Sequence, residues 1–585
     1  MGRVLTNNTA LQIAKEATPG VLPASPTWFA LEPNGINTFG SEITTVARRP
    51  ISRNRQRSKG TVVDLDSSVE FEHDVTLSAL DQVLEGFTYA QASNWDLVFR
   101  AAPVTTLAYT IPAATANQAA KIQFAAPIAT LVYARGYLNA ANNGLKALTA
   151  DTALSGTSLT VSGLVLEASP PSNATVEVAG LRAAAGDLSI VVTQGASVVA
   201  SIATAGTGYV VGDILTVSGG TFTTAATLRV LAISAGLVTS VEVASRGAYT
   251  VVPANPVAHT GGTGTGATFN LTFVQDTAVL TSAAIVFTSV GLKVGQFIHV
   301  GGLTTANQFS AGKGYARIRA ITAATLTLDK IVGTLATDPG AAESVDLLFG
   351  RFFRNVPVDA NADDNRYEES TFQVEASFPG LVGTPGVPGF EYSIGNYPNE
   401  LQINAPLTDK ATMTLGFVGR LTEDFTTTRK TNAESAVNPA KTVAFNTSSD
   451  FAMIGVRDEN GGDVVSCFKS FTLTLANNAS PEKCLGHLGA EYVNVGLFEV
   501  NLEAQLLFTS PAVPDAIKNN RTLTFFAVLQ NDDGAWAVDI ASMTLGGGDK
   551  EFPLDQSVLI NVTGEAFMDP LTGASIGISV FPVVP

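Results

Sequence analysis

Few residues in this chain stand where catalysis would need them. Gly573-Ala574-Ser575-Ile576-Gly577 matches the G-x-S-x-G nucleophile pattern, which requires a strand before it, a helix after it, and an acid and then a histidine downstream. Only a short tail ending Val580-Phe581-Pro582-Val583-Val584-Pro585 follows, and His73, His259, His299 and His487 all lie upstream. Gly262-Thr263-Gly264-Thr265-Gly266-Ala267 satisfies a loose dinucleotide-binding pattern. The residues after it, Ala267 to Phe273, alternate like a strand, where a pyrophosphate would need a helix N-terminus. The four histidines are scattered without partners at metal-ligand spacing. Cys467 and Cys484 are too few for a disulfide framework or a four-ligand zinc site, and read as ordinary buried thiols. Asp458-Glu459-Asn460-Gly461-Gly462-Asp463 could offer oxygens to Ca²⁺, but it lacks the closing Glu of such loops and reads equally well as a hairpin turn. The expectation is therefore a non-enzyme with no catalytic residue, cofactor or metal.

Charge, by contrast, is organised along the chain. The 585 residues hold 34 Lys+Arg and 51 Asp+Glu, a net charge of −17. Only 15% of residues are charged, against roughly 25% in ordinary soluble proteins. Such an excess of acid argues against a high-affinity surface for nucleic acid, whose phosphates are held by Lys and Arg. Yet Arg48, Arg49, Arg53, Arg55, Arg57 and Lys59 form a basic run without an acid, followed at once by Asp64, Asp66, Glu70, Glu72 and Asp74. The run lacks the aromatics of a single-strand binder. It reads either as a solvated loop or as a projecting arm that docks on an acidic patch of the next copy. Asp359, Asp363, Asp364, Glu368 and Glu369 would supply such a patch. Head-to-tail contacts of this kind grow filaments when they do not close.

The elements that would carry these charges are strands. Gly (53) and Pro (27) are frequent and Phe (31) far exceeds Trp (3), which favours many short strands joined by turns. Val69 to Val75 alternates apolar and polar, setting Glu70, Glu72 and Asp74 on one face; Phe498 to Ala504 does the same for Glu499 and Glu503. After the first strand, Leu77, Leu80, Val83, Leu84 and Phe87 recur at helical spacing, predicting a helix capped at Thr76 or Ser78 and ending at Gly86. After the second, Pro514 to Lys518 is a short helical candidate. Further strands near 371–376, 392–394 and 411–415 are echoed at 522–527, 538–540 and 558–562. The same order of strand, polar arm, strand, helix, strand, strand thus occurs twice, predicting a duplicated unit; a regular β-meander would also look self-similar. Between about 110 and 350 the chain turns to Ala, Thr, Gly and Val with few charges. The expected organisation is a first β unit over 1–110 with 350–430, a second over 431–585, and an inserted β module over 111–349 that contains a Gly-rich β domain near 196–275. No run of 18 apolar residues occurs, so a soluble protein with no membrane partner is expected. The fold class expected is all-β, mainly antiparallel sandwich or barrel, with short flanking helices.

The run from Glu42 through Arg48-Arg49-Pro50-Ile51-Ser52-Arg53-Asn54-Arg55-Gln56-Arg57, with Lys59-Gly60-Thr61 and Asp64-Leu65-Asp66, resembles the N-terminal arm of tail tube (major tail) proteins of long-tailed, non-contractile bacteriophages. Pro481-Glu482-Lys483 with Leu485-Gly486, Asp549-Lys550-Glu551-Phe552-Pro553 and the ending Ile576 to Pro582 carry the same resemblance, which covers 1–110 and 350–585. The Gly-rich segment is similar to small β modules inserted in many phage tail proteins. The resemblance implies a structural virion protein with two packed antiparallel sheets, forming rings that stack into a conduit for genome delivery. Rings of this family hold six single or three double units; the duplication favours three chains with pseudo-six-fold symmetry, six whole chains being the alternative. Implied partners are the chain itself, tape-measure, tail terminator and distal tail proteins, with phage DNA passing through without specific binding. The implied location is the virion tail, assembled in the bacterial cytoplasm. The basic arm (Arg48, Arg49, Arg53, Arg55, Arg57, Lys59) would contact the adjacent ring, and Glu70, Glu72, Asp74, Glu499 and Glu503 would line a lumen or a subunit interface. A receptor-binding tail fibre or adhesin would share the same composition and remains the alternative.

Overall fold

The computed structural model describes residues 6, 9–49, 51, 53, 59–77, 80–91, 98–100, 103–105, 108–110, 129–149, 158–359, 366–379, 388–458, 462–465 and 467–585. Antiparallel strands dominate, with three short α-helices among the described residues, so the chain is all-β. The largest sheet has 16 strands, all drawn from residues before 75 and after 350.

Two long strands organise that sheet, and each changes partners midway. Gly389–Ala405 pairs through its first half with Phe372–Phe378 and through its second half with Thr412–Gly419. Gly534–Glu551 likewise pairs first with Leu523–Asn531 and then with Leu559–Ala566. A strand that serves two layers makes the corner of a sandwich. The second halves belong to one uninterrupted layer of eight strands. In spatial order these are Gly35–Ala47, Gly60–Asp74, Thr412–Gly419, Gly389–Ala405, Phe468–Ala476, Glu499–Leu507, Leu559–Ala566 and Gly534–Glu551. Because side chains alternate across a strand, one face of this layer is apolar. Phe71, Leu415, Leu401, Leu473, Leu502 and Val562 from successive strands all enter a single core.

Each of the two strands read from alternation is followed by a helix. The second, Ala512–Lys518, begins two residues before the sequence-based expectation. The first, Asp81–Thr88, departs further from it: its N-cap is Leu80 with no side-chain cap, the Thr76 hydroxyl is buried without a partner, and Ser78 lies outside the described residues. Nor does this helix end at Gly86. It runs to Thr88 and closes on Tyr89 in the left-handed region. Gly86 is required for packing: a Cβ there would stand 2.7 Å from the Phe372 ring and 2.9 Å from Pro398. A glycine read as a stop signal is in fact a close approach between helix and sheet.

Residues 98–348 form other sheets. Twelve strands make one, in which Leu188–Thr207 and Thr265–Ser282 pair along almost their whole lengths. Beyond that ribbon a four-stranded sheet spans Ile214–Val217 to His259–Thr260. The twelve-stranded sheet buries one core around Leu188, Ile190 and Leu280, and the far part of its ribbon packs with the four-stranded sheet around a second, from Ala196 to Leu271, both separate from the main core of the 16-stranded sheet. The contact between the two large sheets combines apolar and ionic packing. Phe297 and Tyr315 meet Phe526, Val528 and Phe581, and the Tyr315 hydroxyl donates to Gln530 Oε1 at 2.7 Å. Beside them Arg317 donates to Asp539 at 2.9 Å and bidentately to Asp329 at 2.8 Å. Burial opposes the charge on Arg317, but the two carboxylates outweigh it and hold the guanidinium ionised.

Candidate assembly surface

The eight-stranded layer turns its second face to solvent, and that face is acidic. Its cross-strand register forms three rows. In the first, Glu70 stands opposite Gly416, then Glu400, Ala476 and Glu499. In the second, Glu72 leads through Thr414, Gln402, Thr474 and Asn501 to Glu565 and Thr544. In the third, Asp74 leads through Thr412, Asn404 and Thr472 to Glu503, Thr563 and Gly546. All five carboxylates singled out from the sequence, Glu70, Glu72, Asp74, Glu499 and Glu503, therefore share one face, and none of the three rows holds a Lys or Arg. Lys410 flanks the third row and bridges Asp74 at 2.8 Å. Glu400 and Glu565 were missed, although Glu400-Leu401-Gln402-Ile403-Asn404 and Asn561-Val562-Thr563-Gly564-Glu565 carry the same alternation.

The remaining residues between the acids are Thr, Asn, Gln, Gly and Ala. Their hydrogen bonds run along the face, as in Thr472 to Asn404 at 2.9 Å and Gln402 to Glu400 at 2.6 Å. The two halves supply equivalent strands: Gly60–Asp74 stands to Thr412–Gly419 and Gly389–Ala405 as Glu499–Leu507 stands to Leu559–Ala566 and Gly534–Glu551.

At one side the layer extends into an arm. Past Ser67, Gly60–Asp74 pairs with Gly35–Ala47 alone. The arm root is pinned by Lys483, which bonds both Asp64 and Asp66 at 2.6 Å. That bond holds the Asp64 carboxyl below its usual range and raises Lys483. Arg48, Arg49, Arg53 and Lys59 are exposed and have no ion-pair partner among the described residues, while Arg55 and Arg57 lie outside them. Ile43, Val46, Val62 and Val63 on the two arm strands are 46–57% exposed. A purely solvated loop would not display so much apolar surface; a contact surface would.

Of the acidic block read as a docking patch, Glu368 and Glu369 are engaged within the chain. Lys15 bonds Glu368 at 2.6 Å and outweighs the effect of burial to keep it ionised. Glu369 accepts from the Tyr367 hydroxyl at 2.9 Å, Asp359 is exposed, and Asp363 and Asp364 lie outside the described residues. The other motifs take structural roles. The strand Gly577–Phe581 begins two residues after Ser575, whose backbone N–H donates to Asn355 Oδ1 at 2.9 Å. His259 bonds the Tyr209 hydroxyl at 2.7 Å, and His299 Nδ1 donates to the Gly301 carbonyl at 2.9 Å. Arg457 closes the Asp458 to Asp463 turn by bonding Asp463 at 2.8 Å; residues 459–461 lie outside the described set. Neither cysteine is fully buried: Cys484 is exposed and Cys467 intermediate, because both lie in segments at the ends of strands. Among the described residues no group of three His, Cys, Asp or Glu could hold a metal ion, and no helix is long and apolar enough to cross a membrane.

The all-β fold thus presents a broad polar face on a layer with two open sides, together with a projecting arm. Residues 260–566, just over half of the chain, match the family model for phage tail tube proteins, and the chain belongs to that family. It is thus a structural component of a bacteriophage virion tail. A comparison with curated proteins found no match. The matched span takes in most of the acidic layer and also Thr265–Ser282 with the strands up to Val345–Leu348, inside the segment that composition set apart.

Proposed function

We propose that three copies of this chain close into a ring of six similar units, that rings stack into a tube, and that the acidic layer is the wall past which the genome slides. The observation that carries this reading is the acidic face: two equivalent sets of strands, in one continuous layer, present three rows of carboxylates and small polar groups that hold no Lys or Arg, with Lys410 at the end of the third row. A duplex crossing such a wall meets repulsion in place of salt-dependent phosphate contacts, so it does not stick. The sheets of residues 98–348 pack on the other layer of the sandwich, through Phe526, Val528 and Phe581. That position suits an outer decoration. The arm, with its basic tip and apolar strip, reaches toward the neighbouring ring.

The test combines imaging with a charge reversal. Purified protein is expected to show rings and tubes by negative-stain microscopy; isolated particles under all conditions would sink the conduit. Tubes of the Glu70→Lys, Glu503→Lys variant are expected to assemble and to retain double-stranded DNA, with a log–log salt slope that steepens by about 0.9 for each phosphate the new lysines neutralise. Tubes that assemble and remain as indifferent to DNA as the parent would remove the acidic face from the lumen.

A further inference from the structure

Beside the contact between the two large sheets lies a polar cavity of about 660 Å³. Three parts of the chain wall it: Arg246 and Asp276 from the Gly-rich region and its ribbon, Arg317 to Lys330 from the twelve-stranded sheet, and Arg457, Ser542 and Asp569 from the second half of the 16-stranded sheet. No aromatic ring lines it, so it offers no platform for a flat apolar ligand.

The carboxylates of this cavity are answered within the chain. Arg246 bonds Asp276 at 2.9 Å, and Arg317 holds Asp329 bidentately. Asp458 accepts from the Gly462 backbone N–H at 2.6 Å, and Asp569 from the Ser542 hydroxyl and the Thr572 backbone N–H, both at 2.8 Å. The cations are answered only in part. Arg457 is bound by Asp463, but neither Arg319 nor Lys330 makes a hydrogen bond or ion pair among the described residues. Arg246, whose side chain is 10% exposed, gives Nη1 to Asp276 and Nε to the Ala196 carbonyl, and its Nη2 is buried without a partner. Burial, with Arg317 and Arg457 nearby, pushes the Lys330 pKa down by more than Asp329 and Asp539 hold it up. A buried charge in this state is costly unless something of opposite sign joins it.

The backbone places both unanswered cations there by the same device. Where Gly314–Ile321 pairs with Thr325–Gly333, the register slips twice. Ala316 stands against both Lys330 and Ile331, and Arg319 is the extra residue between the pairs Ile318 with Leu328 and Ala320 with Thr327. Leu326, Leu328 and Ile331 enter the core. Strict alternation from Leu328 would have sent Lys330 there, and the bulge sends it to the cavity with Asp329. Lys330 adopts φ +50°, a left-handed conformation uncommon for a lysine. We propose that the cavity binds one phosphate-class oxyanion, held by Lys330, Arg319 and Nη2 of Arg246, and that the anion fastens the inserted sheets to the second half of the 16-stranded sheet. A tetrahedral dianion has enough acceptor oxygens for three separate donors, which the two oxygens of a monocarboxylate do not match. The site is independent of whether the chain forms rings.

The test is calorimetric titration of the full chain with inorganic phosphate, in chloride buffer of constant ionic strength. One saturable site per chain is expected, with sulfate competing for it. Lys330→Gln with Arg319→Gln should weaken binding about tenfold or more and leave the far-ultraviolet circular dichroism unchanged. Lys330→Met alone should unfold at the parent's Tm or above it in phosphate-free buffer, because it removes a charge that nothing answers. The same variant should lose the rise in Tm that a ligand of the folded state produces, keeping only the general effect of an excluded anion. Absence of saturable binding by the parent in millimolar phosphate overturns the site. Equal binding by parent and double variant means an adventitious ion only, and overturns it as well. A Tm that falls in Lys330→Met without phosphate gives the lysine a structural role and overturns its part in binding. Saturable binding that leaves the parent's Tm unaltered keeps the site and overturns the fastening.

Discussion

Arg317 and His299 show how much of the chain's stability rests on single polar residues under the acidic layer's supporting sheets. Arg317 neutralises Asp539, a carboxylate only 3% exposed. Arg317→Met would leave that buried carboxylate without its ion-pair partner, at a cost of about 3–5 kcal/mol. Thermal unfolding should show a lowered Tm, with most of the loss recovered when Asp539→Leu is added. His299 is buried against Tyr315, with ring centroids 4.8 Å apart, and burial pushes its pKa from 6.5 down to about 4. The native state therefore takes up this proton later than the unfolded chain does. Its contribution is whole above pH 6.5 and is lost as pH falls toward 4, roughly 3 kcal/mol in all. Acid unfolding of His299→Phe should be correspondingly less steep in that window. Neither residue was legible as important in the sequence, because Arg317 and Asp539 meet across 222 positions and no local pattern records such a contact. The acidic face was legible, since alternation alone fixes which side chains share a face.

At the level of elements, the strands followed their apolar–polar periods and the turns followed their glycines. The first helix shows where local rules fail: its expected cap plays no capping role, and its expected terminator is a packing glycine. The close approach of Phe372 and Pro398 accounts for the glycine. The arm strands were readable by the resemblance of their basic run, but their exposed valines and isoleucine acquire meaning only once the hairpin is seen to leave the sheet. Changing Arg53, Arg55 and Arg57 together to Glu should leave the far-ultraviolet circular dichroism and Tm unchanged while abolishing tube elongation in pelleting assays. Tubes of normal length would show that the basic tip has no part in stacking.

Over the whole molecule, the repeated strand order could be read from spacing, whereas the way the two sets share one layer could not, because it depends on the pairing of Glu400–Ala405 with Phe471–Ala476. The Gly-rich region offers a test of independence. Its core residues, from Ala196 to Leu271, are separate from the core that holds Leu188, Ile190 and Leu280. The ribbon that carries it passes through the facing pair Thr193 and Thr277. Replacing 194–276 by an Asn-Gly turn, which suits a two-residue hairpin, should leave a folded chain whose Tm shifts by a few degrees and which still forms tubes. Loss of assembly would give that region a part in the tube itself.

The arm and its counterpart in the second half are unequal. The first is a hairpin of 13- and 15-residue strands; at the corresponding corner of the second half stand the three-residue strands Ser480–Glu482 and Tyr492–Asn494. A ring of three such chains would alternate long and short teeth around its rim. Rotating it by one unit would not reproduce it; rotating it by two would. Each ring added to the stack would then inherit its angular phase from the one below, as a keyed shaft does, and averaging images with six-fold symmetry would blur the long teeth that three-fold averaging resolves.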